Sequence, residues 1–131
     1  MRSFAVVSLL AVAAVGQTKI APGDWPMYNR DLAGTRYSPL TQINTTNVSK
    51  LQVAWKYRLQ PEGKVLTGAS PSEIFQEITP IVVNGVMYMP SGDRVVALEP
   101  ETGKELWRYQ MPEGSQASFR GVSYWQGDRN N

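Results

Sequence analysis

Apolar and polar residues alternate in short runs along the second half of the chain, and turn-forming residues separate these runs. The runs 81–83, 86–89, 94–98 and 104–109 are rich in β-branched, aromatic and aliphatic residues. Asn84 and Gly85, a strong two-residue hairpin signal, separate the first two runs. Turn-rich residues at 90–93 and 99–103 separate the others. The pattern predicts four antiparallel strands in a meander, which is the content of one β-propeller blade.

An earlier run, 51–59, alternates in the same way and predicts a lone strand. Within it VAWKY resembles ELWRY of the fourth run, aligning Trp55 with Trp107 and Tyr57 with Tyr109, which favours a repeat architecture. A single blade cannot bury both of its broad faces. We therefore expect the sequence to be the N-terminal part of a longer propeller. The run 51–59 would complete the last blade as its outer strand, and 119–125 would begin the next blade.

The first part of the chain contains two segments that lack strand periodicity. Residues 1–16 combine Arg2 with an apolar run that ends in small residues, which predicts a signal peptide cleaved before Gln17. A retained membrane anchor is the alternative. Residues 17–50, rich in Pro, Gly, Asn, Asp and Thr, predict an extended arm, with the start of one helical turn at 45–47. We expect a periplasmic or secreted protein, with membrane association left open.

Composition narrows the chemistry that the chain can perform. Its 131 residues fit at most one ordinary domain. A net charge of +2 with 18% charged residues is too mild to favour nucleic acid as a partner. The chain has no Cys and no His, which excludes disulfides, thiolate chemistry and the commonest general base and zinc ligand.

Four segments in order carry a resemblance to a known family: 24–57, beginning DWPMYNRD; 77–89, EITPIVVNGVMYM; 95–109, VVALEPETGKELWRY; and 119–125, FRGVSYW. They resemble the quinoprotein dehydrogenases, which oxidise alcohols or sugars with pyrroloquinoline quinone (PQQ). The resemblance implies an all-β fold, a partial β-propeller with one complete four-stranded blade plus flanking strands of an eight-bladed quinoprotein propeller. Residues 51–131 would form this incomplete PQQ-type propeller domain.

The third of these segments resembles the family's tryptophan-docking motif. Ala97, Thr102, Gly103 and Trp107 match the motif, whereas Glu99 stands where the family has Asp. The resemblance implies that Trp107 packs flat between neighbouring blades, so its predicted role is structural.

The resemblance assigns cofactor binding to two residues. Arg120 matches the arginine that contacts the quinone system, and a guanidinium suits carboxylate and quinone oxygens because it is planar and always charged. Glu77, two residues before Thr79 and Pro80, matches the glutamate that hydrogen-bonds the cofactor. Solvated side chains are the alternative interpretation for both. No catalytic residue or metal ligand is predicted in this chain, because the resemblance places the calcium ligands and the aspartate base further along a full-length enzyme.

The implied function is that of a PQQ-dependent oxidoreductase acting on CH–OH groups, with Ca²⁺ as a second cofactor. Its partners would be a small alcohol or sugar and a separate electron acceptor, a cytochrome or a quinone. Residues 114–119, GSQASF, lack the adjacent cysteines of many alcohol-oxidising members, which fits the sugar-oxidising branches better without identifying the substrate. The alternatives are a non-catalytic propeller scaffold of the cell envelope, which has no need of Glu77 or Arg120, and a truncated product. The chain alone is expected to be inactive.

Overall fold

Four antiparallel strands form one sheet in a computed structural model that describes residues 19–59, 77–118 and 120–127. The strands are β1 (Ile81–Val83), β2 (Val86–Ser91), β3 (Arg94–Leu98) and β4 (Glu105–Gln110), and they lie in the order β1-β2-β3-β4. Each strand pairs with its neighbour in sequence, which confirms the predicted four-stranded meander. A 3-10 turn at Val48–Lys50 follows the residues at which a helical turn was predicted to begin.

The β1–β2 turn is the predicted two-residue hairpin. Asn84 and Gly85 both have left-handed φ angles, 52° and 74°, as the tight turn that matches strand twist requires. The predicted second turn, 90–93, is too long, because Pro90 and Ser91 belong to β2 and pair with β3. The pairing between β1 and β2 ends at Ile81 and Tyr88, so among the described strands only β3 lies beside Pro90. A proline is tolerated there because its missing N–H is not needed by a second neighbour.

The outer strand predicted at 51–59 stays a prediction, because its expected partners belong to the last blade of a longer propeller. The segment forms no ladder with any described strand, and a strand exists only where its N–H and C=O groups pair with a neighbour. From Trp55 onward its side chains nevertheless alternate as the sequence suggests, and every second one is partly buried against one face of the sheet, whereas Leu51 and Val53 are exposed. The partly buried side chains pack on the buried core of that face: Trp55, Tyr57 and Leu59 on Met89, Val96 and Leu98.

Trp55 also contacts the turn that joins β3 to β4. Its Nε1–H donates to the carbonyl oxygen of Pro100 at 2.9 Å. A Cβ at Gly103 would lie 2.5 Å from Cδ2 of the Trp55 ring, so this turn requires glycine both for its φ of 70° and for the close approach of the indole. The tryptophan therefore fixes the segment 51–59 on the turn.

Trp107, on the opposite face of the sheet, packs on one side only within the described chain. It lies opposite Ala97, whose side chain is fully buried, and its ring centroid is 5.9 Å from that of Tyr88. The other face of the indole has no partner among the described residues, and Trp107 is 47% exposed. The predicted packing of Trp107 between two blades is therefore seen for one blade.

Two further segments attach to the inner edge of the sheet, beside β1. Trp25 of the arm pairs antiparallel with Val82 through two backbone hydrogen bonds, of 2.8 and 2.9 Å. Thr79, just before β1, pairs in parallel with Gly121. Of the strand predicted at 119–125, only a single bridge is seen; residue 119 itself lies outside the described residues.

The signal peptide predicted at 1–16 lies outside the residues that the structure describes. The part of the chain that is described has no helix long and apolar enough to cross a membrane.

Candidate functional site

An open cleft of about 1020 Å³ lies at the start of β1, where three segments that are far apart in sequence meet. One wall comes from the arm at 26–28, the second from 77–79, and the third from residue 118 together with 120–124. Glu77 and Arg120, the two residues predicted from the sequence, both line this cleft.

The backbone bridge between Thr79 and Gly121 brings the two predicted residues together. The Thr79 N–H donates to the carbonyl oxygen of Arg120 at 3.0 Å. A Cβ on Gly121 would lie 3.0 Å from the Thr79 oxygen, so glycine permits this close approach at a φ of 154°. Because Glu77 precedes Thr79 and Arg120 precedes Gly121, both side chains lie at the same end of the bridge.

The two side chains leave their charges available to a ligand. Glu77 and Arg120 form no ion pair with each other or with any other described residue. The Arg120 backbone N–H receives local support from the Ser118 hydroxyl, which accepts its hydrogen bond at 3.3 Å. Ser118 and Thr79 add hydroxyl groups to the same cleft. The described walls therefore offer one guanidinium, one carboxylate and neutral hydroxyls, a set suited to a ligand that carries several oxygen atoms.

Sequence reasoning missed the aromatic part of the cleft. Tyr28 of the arm and Tyr124 of the third wall both line it. The Tyr124 ring also contacts the sheet, with its centroid 6.1 Å from that of Tyr88. The sequence of the turn-rich arm does not predict its pairing with β1, because a single antiparallel bridge at Trp25 requires no alternation of apolar and polar residues.

The site holds no recognisable metal ligand set within the described residues, where no three Asp, Glu, His or Cys side chains come together. The acidic residues near the sheet have other partners. Glu105 accepts hydrogen bonds from Arg108 Nε at 2.5 Å and from the Tyr57 hydroxyl at 2.6 Å. These two hydrogen bonds lower the pKa of Glu105, the one from Arg108 more strongly. Burial, followed by the bond to Glu105, raises the pKa of Tyr57.

Comparison with known proteins places the chain in one family. Residues 25–131 match the family described as glucose/ethanol/alcohol dehydrogenase, beta-propeller domain, of the PQQ type. Quinoprotein glucose dehydrogenase A of Acinetobacter calcoaceticus is 40% identical over 118 residues, which cover 86% of this chain and 14% of that protein. The dehydrogenase subunit of the alcohol dehydrogenase (quinone) of Gluconobacter oxydans is 42% identical over 116 residues, or 81% of this chain and 14% of that protein.

A third relative has cytochrome c in its name. The 1-butanol dehydrogenase (cytochrome c) of Thauera butanivorans is 43% identical over 90 residues, which cover 68% of this chain and 11% of that protein. The chain thus spans only 11% to 14% of the length of these three curated relatives. Glucose-oxidising and alcohol-oxidising relatives match it about equally well, so identity alone does not separate the two substrate classes.

Proposed function

The chain belongs to the β-propeller family of the PQQ-dependent glucose, ethanol and alcohol dehydrogenases, and on this premise we propose that it is part of an enzyme that oxidises an alcohol or a sugar with PQQ. The observation that carries the proposal is the cleft at the start of β1, which Glu77 and Arg120 both line although the sequence separates them widely. When bound, PQQ accepts the electrons that leave the CH–OH group, and the protein binds and orients it.

The residues of the cleft fit such a cofactor. PQQ is a planar ortho-quinone with three carboxylates, so it needs cationic and hydrogen-bonding donors and tolerates an aromatic neighbour. Arg120 supplies a planar charged donor, and Thr79 and Ser118 supply hydroxyls. In this proposal Arg120 binds a carboxylate or quinone oxygen and Glu77 hydrogen-bonds the cofactor edge. The cleft volume of about 1020 Å³ accommodates a ligand of this size, since small-molecule sites measure roughly 300–1,000 Å³.

The remaining parts of the proposal concern the whole protein. The described residues do not supply a ligand set for Ca²⁺, and we propose that its ligands lie in other parts of the protein. The apolar run and small residues of 1–16 support export, to the periplasm or beyond the cell. The relative named for cytochrome c supports a cytochrome as the separate electron acceptor, with a quinone as the alternative.

Cofactor uptake by the full protein tests the proposal. The apoprotein is titrated with PQQ, with and without Ca²⁺, while binding is measured calorimetrically and dye reduction is followed with alcohols and with aldoses. The full protein should bind PQQ and reduce the dye with one of these substrate classes. Arg120→Gln should weaken binding about 10- to 100-fold, because a charge-assisted hydrogen bond contributes about 1.5–3 kcal/mol.

Arg58→Gln provides the matched control, because Arg58 is exposed and does not line the cleft. Its PQQ affinity should equal that of the unmodified protein. A folded protein that takes up no PQQ would overturn the enzyme assignment and favour the non-catalytic scaffold, which needs neither Glu77 nor Arg120.

A further inference from the structure

The arm supplies one wall of the cleft, and its geometry suggests a further binding contact. We propose that Tyr28, with Arg36 placed over its ring, contacts the bound cofactor from the side opposite the Thr79–Gly121 bridge. This inference rests on the proposed function, since it takes the ligand of the cleft to be a planar aromatic anion of the PQQ type.

Backbone pairing explains how Tyr28 reaches the cleft. The two hydrogen bonds between Trp25 and Val82 align the arm antiparallel to β1, so the residues after Trp25 run back towards Thr79 and Glu77. The Trp25 indole N–H also donates to the carbonyl oxygen of Tyr28 at 3.3 Å, and this hydrogen bond holds the backbone of Tyr28 close to the Trp25 side chain. Tyr28 therefore lines the same cleft as the two predicted residues.

Arg36 is held over the Tyr28 ring by its own contacts. Its guanidinium carbon lies 5.3 Å from the ring centroid, within the range of a cation–π contact. Its Nε–H donates to the Asn29 side-chain oxygen at 2.7 Å, and its backbone N–H donates to the Asn29 carbonyl oxygen at 3.2 Å. The tyrosine and the arginine thus already contact each other without a ligand, and the arginine has two hydrogen bonds of its own.

The backbone of this loop adopts conformations that ordinary residues avoid. Arg30 and Arg36 have φ angles of 71° and 49°, in the left-handed region that disfavours side chains with a Cβ. Asp31 holds the loop in this form by accepting hydrogen bonds from Thr35, among them one from its backbone N–H at 3.0 Å. Such conformations persist where the surrounding contacts impose them, and they cluster at binding sites.

The chemistry of this wall complements a planar anion. Tyr28 is 63% exposed although it lies in a concave site, so most of its surface is available to a ligand. A flat conjugated ring stacks favourably on tyrosine. Arg36 adds a positive charge over that ring, and Arg120 adds another from the third wall of the cleft. An anionic aromatic ligand would then contact one aromatic ring and lie near two guanidinium groups.

Substitutions in the arm test this inference on the apoprotein of the full chain. PQQ affinity is measured by calorimetric titration, and thermal melting of each apoprotein reports whether it folds. Tyr28→Ala should weaken PQQ binding about tenfold, whereas Tyr28→Phe, which retains the ring, should weaken it at most about threefold. Arg36→Gln should weaken binding about threefold, with a difference that shrinks at high salt because a screened charge is lost.

Tyr37→Ala is the matched control, because Tyr37 is an arm tyrosine of similar exposure, 66%, that does not line the cleft. It should leave both affinity and melting unchanged. If Tyr28→Ala and Arg36→Gln bind PQQ as tightly as Tyr37→Ala while Arg120→Gln binds it weakly, the arm contact is wrong and the proposed function stands. If the unmodified protein binds no PQQ, the proposed function and the arm contact both fail.

Discussion

The contact between Trp55 and the β3–β4 turn makes Gly103→Ala a sensitive test of how the chain packs. The added Cβ would lie 2.5 Å from Cδ2 and Cε3 of the Trp55 ring, and 2.9 Å from its Cγ. The rigid indole cannot move away by a rotation of a flexible end, so it must shift as a whole and weaken its hydrogen bond to Pro100. Overpacking of this kind costs about 1–3 kcal/mol.

A matched glycine separates the steric clash from the cost of the backbone. Gly85 has a similar φ, 74° against 70° for Gly103, but a Cβ added there would meet no atom within 4 Å. Gly85→Ala should therefore cost only the left-handed backbone term, roughly 1–2 kcal/mol. Gly103→Ala should cost about 2 kcal/mol more than Gly85→Ala.

Urea denaturation of the full chain, followed by far-ultraviolet circular dichroism, measures both free energies of unfolding. In a Trp55→Ala background the extra cost of Gly103→Ala should disappear, because the clashing ring is gone. Equal losses for Gly103→Ala and Gly85→Ala in the unmodified background would refute the packing of Trp55 on this turn.

Three further predictions concern the remaining contacts. Burial, followed by the hydrogen bond to Glu105, raises the pKa of Tyr57, so the protonated hydroxyl stabilises the fold below the ordinary tyrosine value of 10.0, and this contribution is lost as pH rises through the higher folded-state value. Tyr57→Phe should thus lower the free energy of unfolding by about 1 kcal/mol at pH 7. In urea denaturation at a series of pH values the variant should show no such alkaline loss, and an equal alkaline loss in both proteins would contradict the hydrogen bond. Gly121→Ala, with its Cβ 3.0 Å from the Thr79 oxygen, should destabilise the chain by about 1–3 kcal/mol in the urea assay and weaken PQQ binding in calorimetry; unchanged values would argue against the bridge. The hydrogen bonds from Thr35 lower the pKa of Asp31, so they stabilise the arm above the ordinary value of 3.8, and this contribution is lost as pH falls through the lower folded-state value. Protection factors of the arm amides, which correct for the intrinsic pH dependence of exchange, should therefore fall in acid in the unmodified protein but not in Asp31→Ala, where a persistent fall would count against the prediction.

The candidate site was predicted in part. Glu77 and Arg120 could be named from short motifs because the family resemblance attaches a role to each, and the structure places both in one cleft. Their binding of PQQ stays a prediction. Tyr28 and Arg36 could not be named in the same way, since their meeting depends on a reversal of the arm that local contacts and one bridge to β1 produce.

The local structure of the sheet follows from the amino-acid sequence alone, because strand periodicity and turn chemistry act between residues close in the chain. Alternating runs and the Asn84–Gly85 turn were sufficient to predict the four-stranded meander. The same alternation at 51–59 marks Trp55, Tyr57 and Leu59, which pack on the sheet, but also Leu51 and Val53, which are exposed. Strand pairing depends on which backbone segment lies beside a strand. The cleft likewise depends on which segments lie side by side, because its three walls come from distant parts of the sequence. Such neighbours are set by the three-dimensional fold, because hydrogen-bond partners and packing surfaces are supplied by residues that no local pattern identifies.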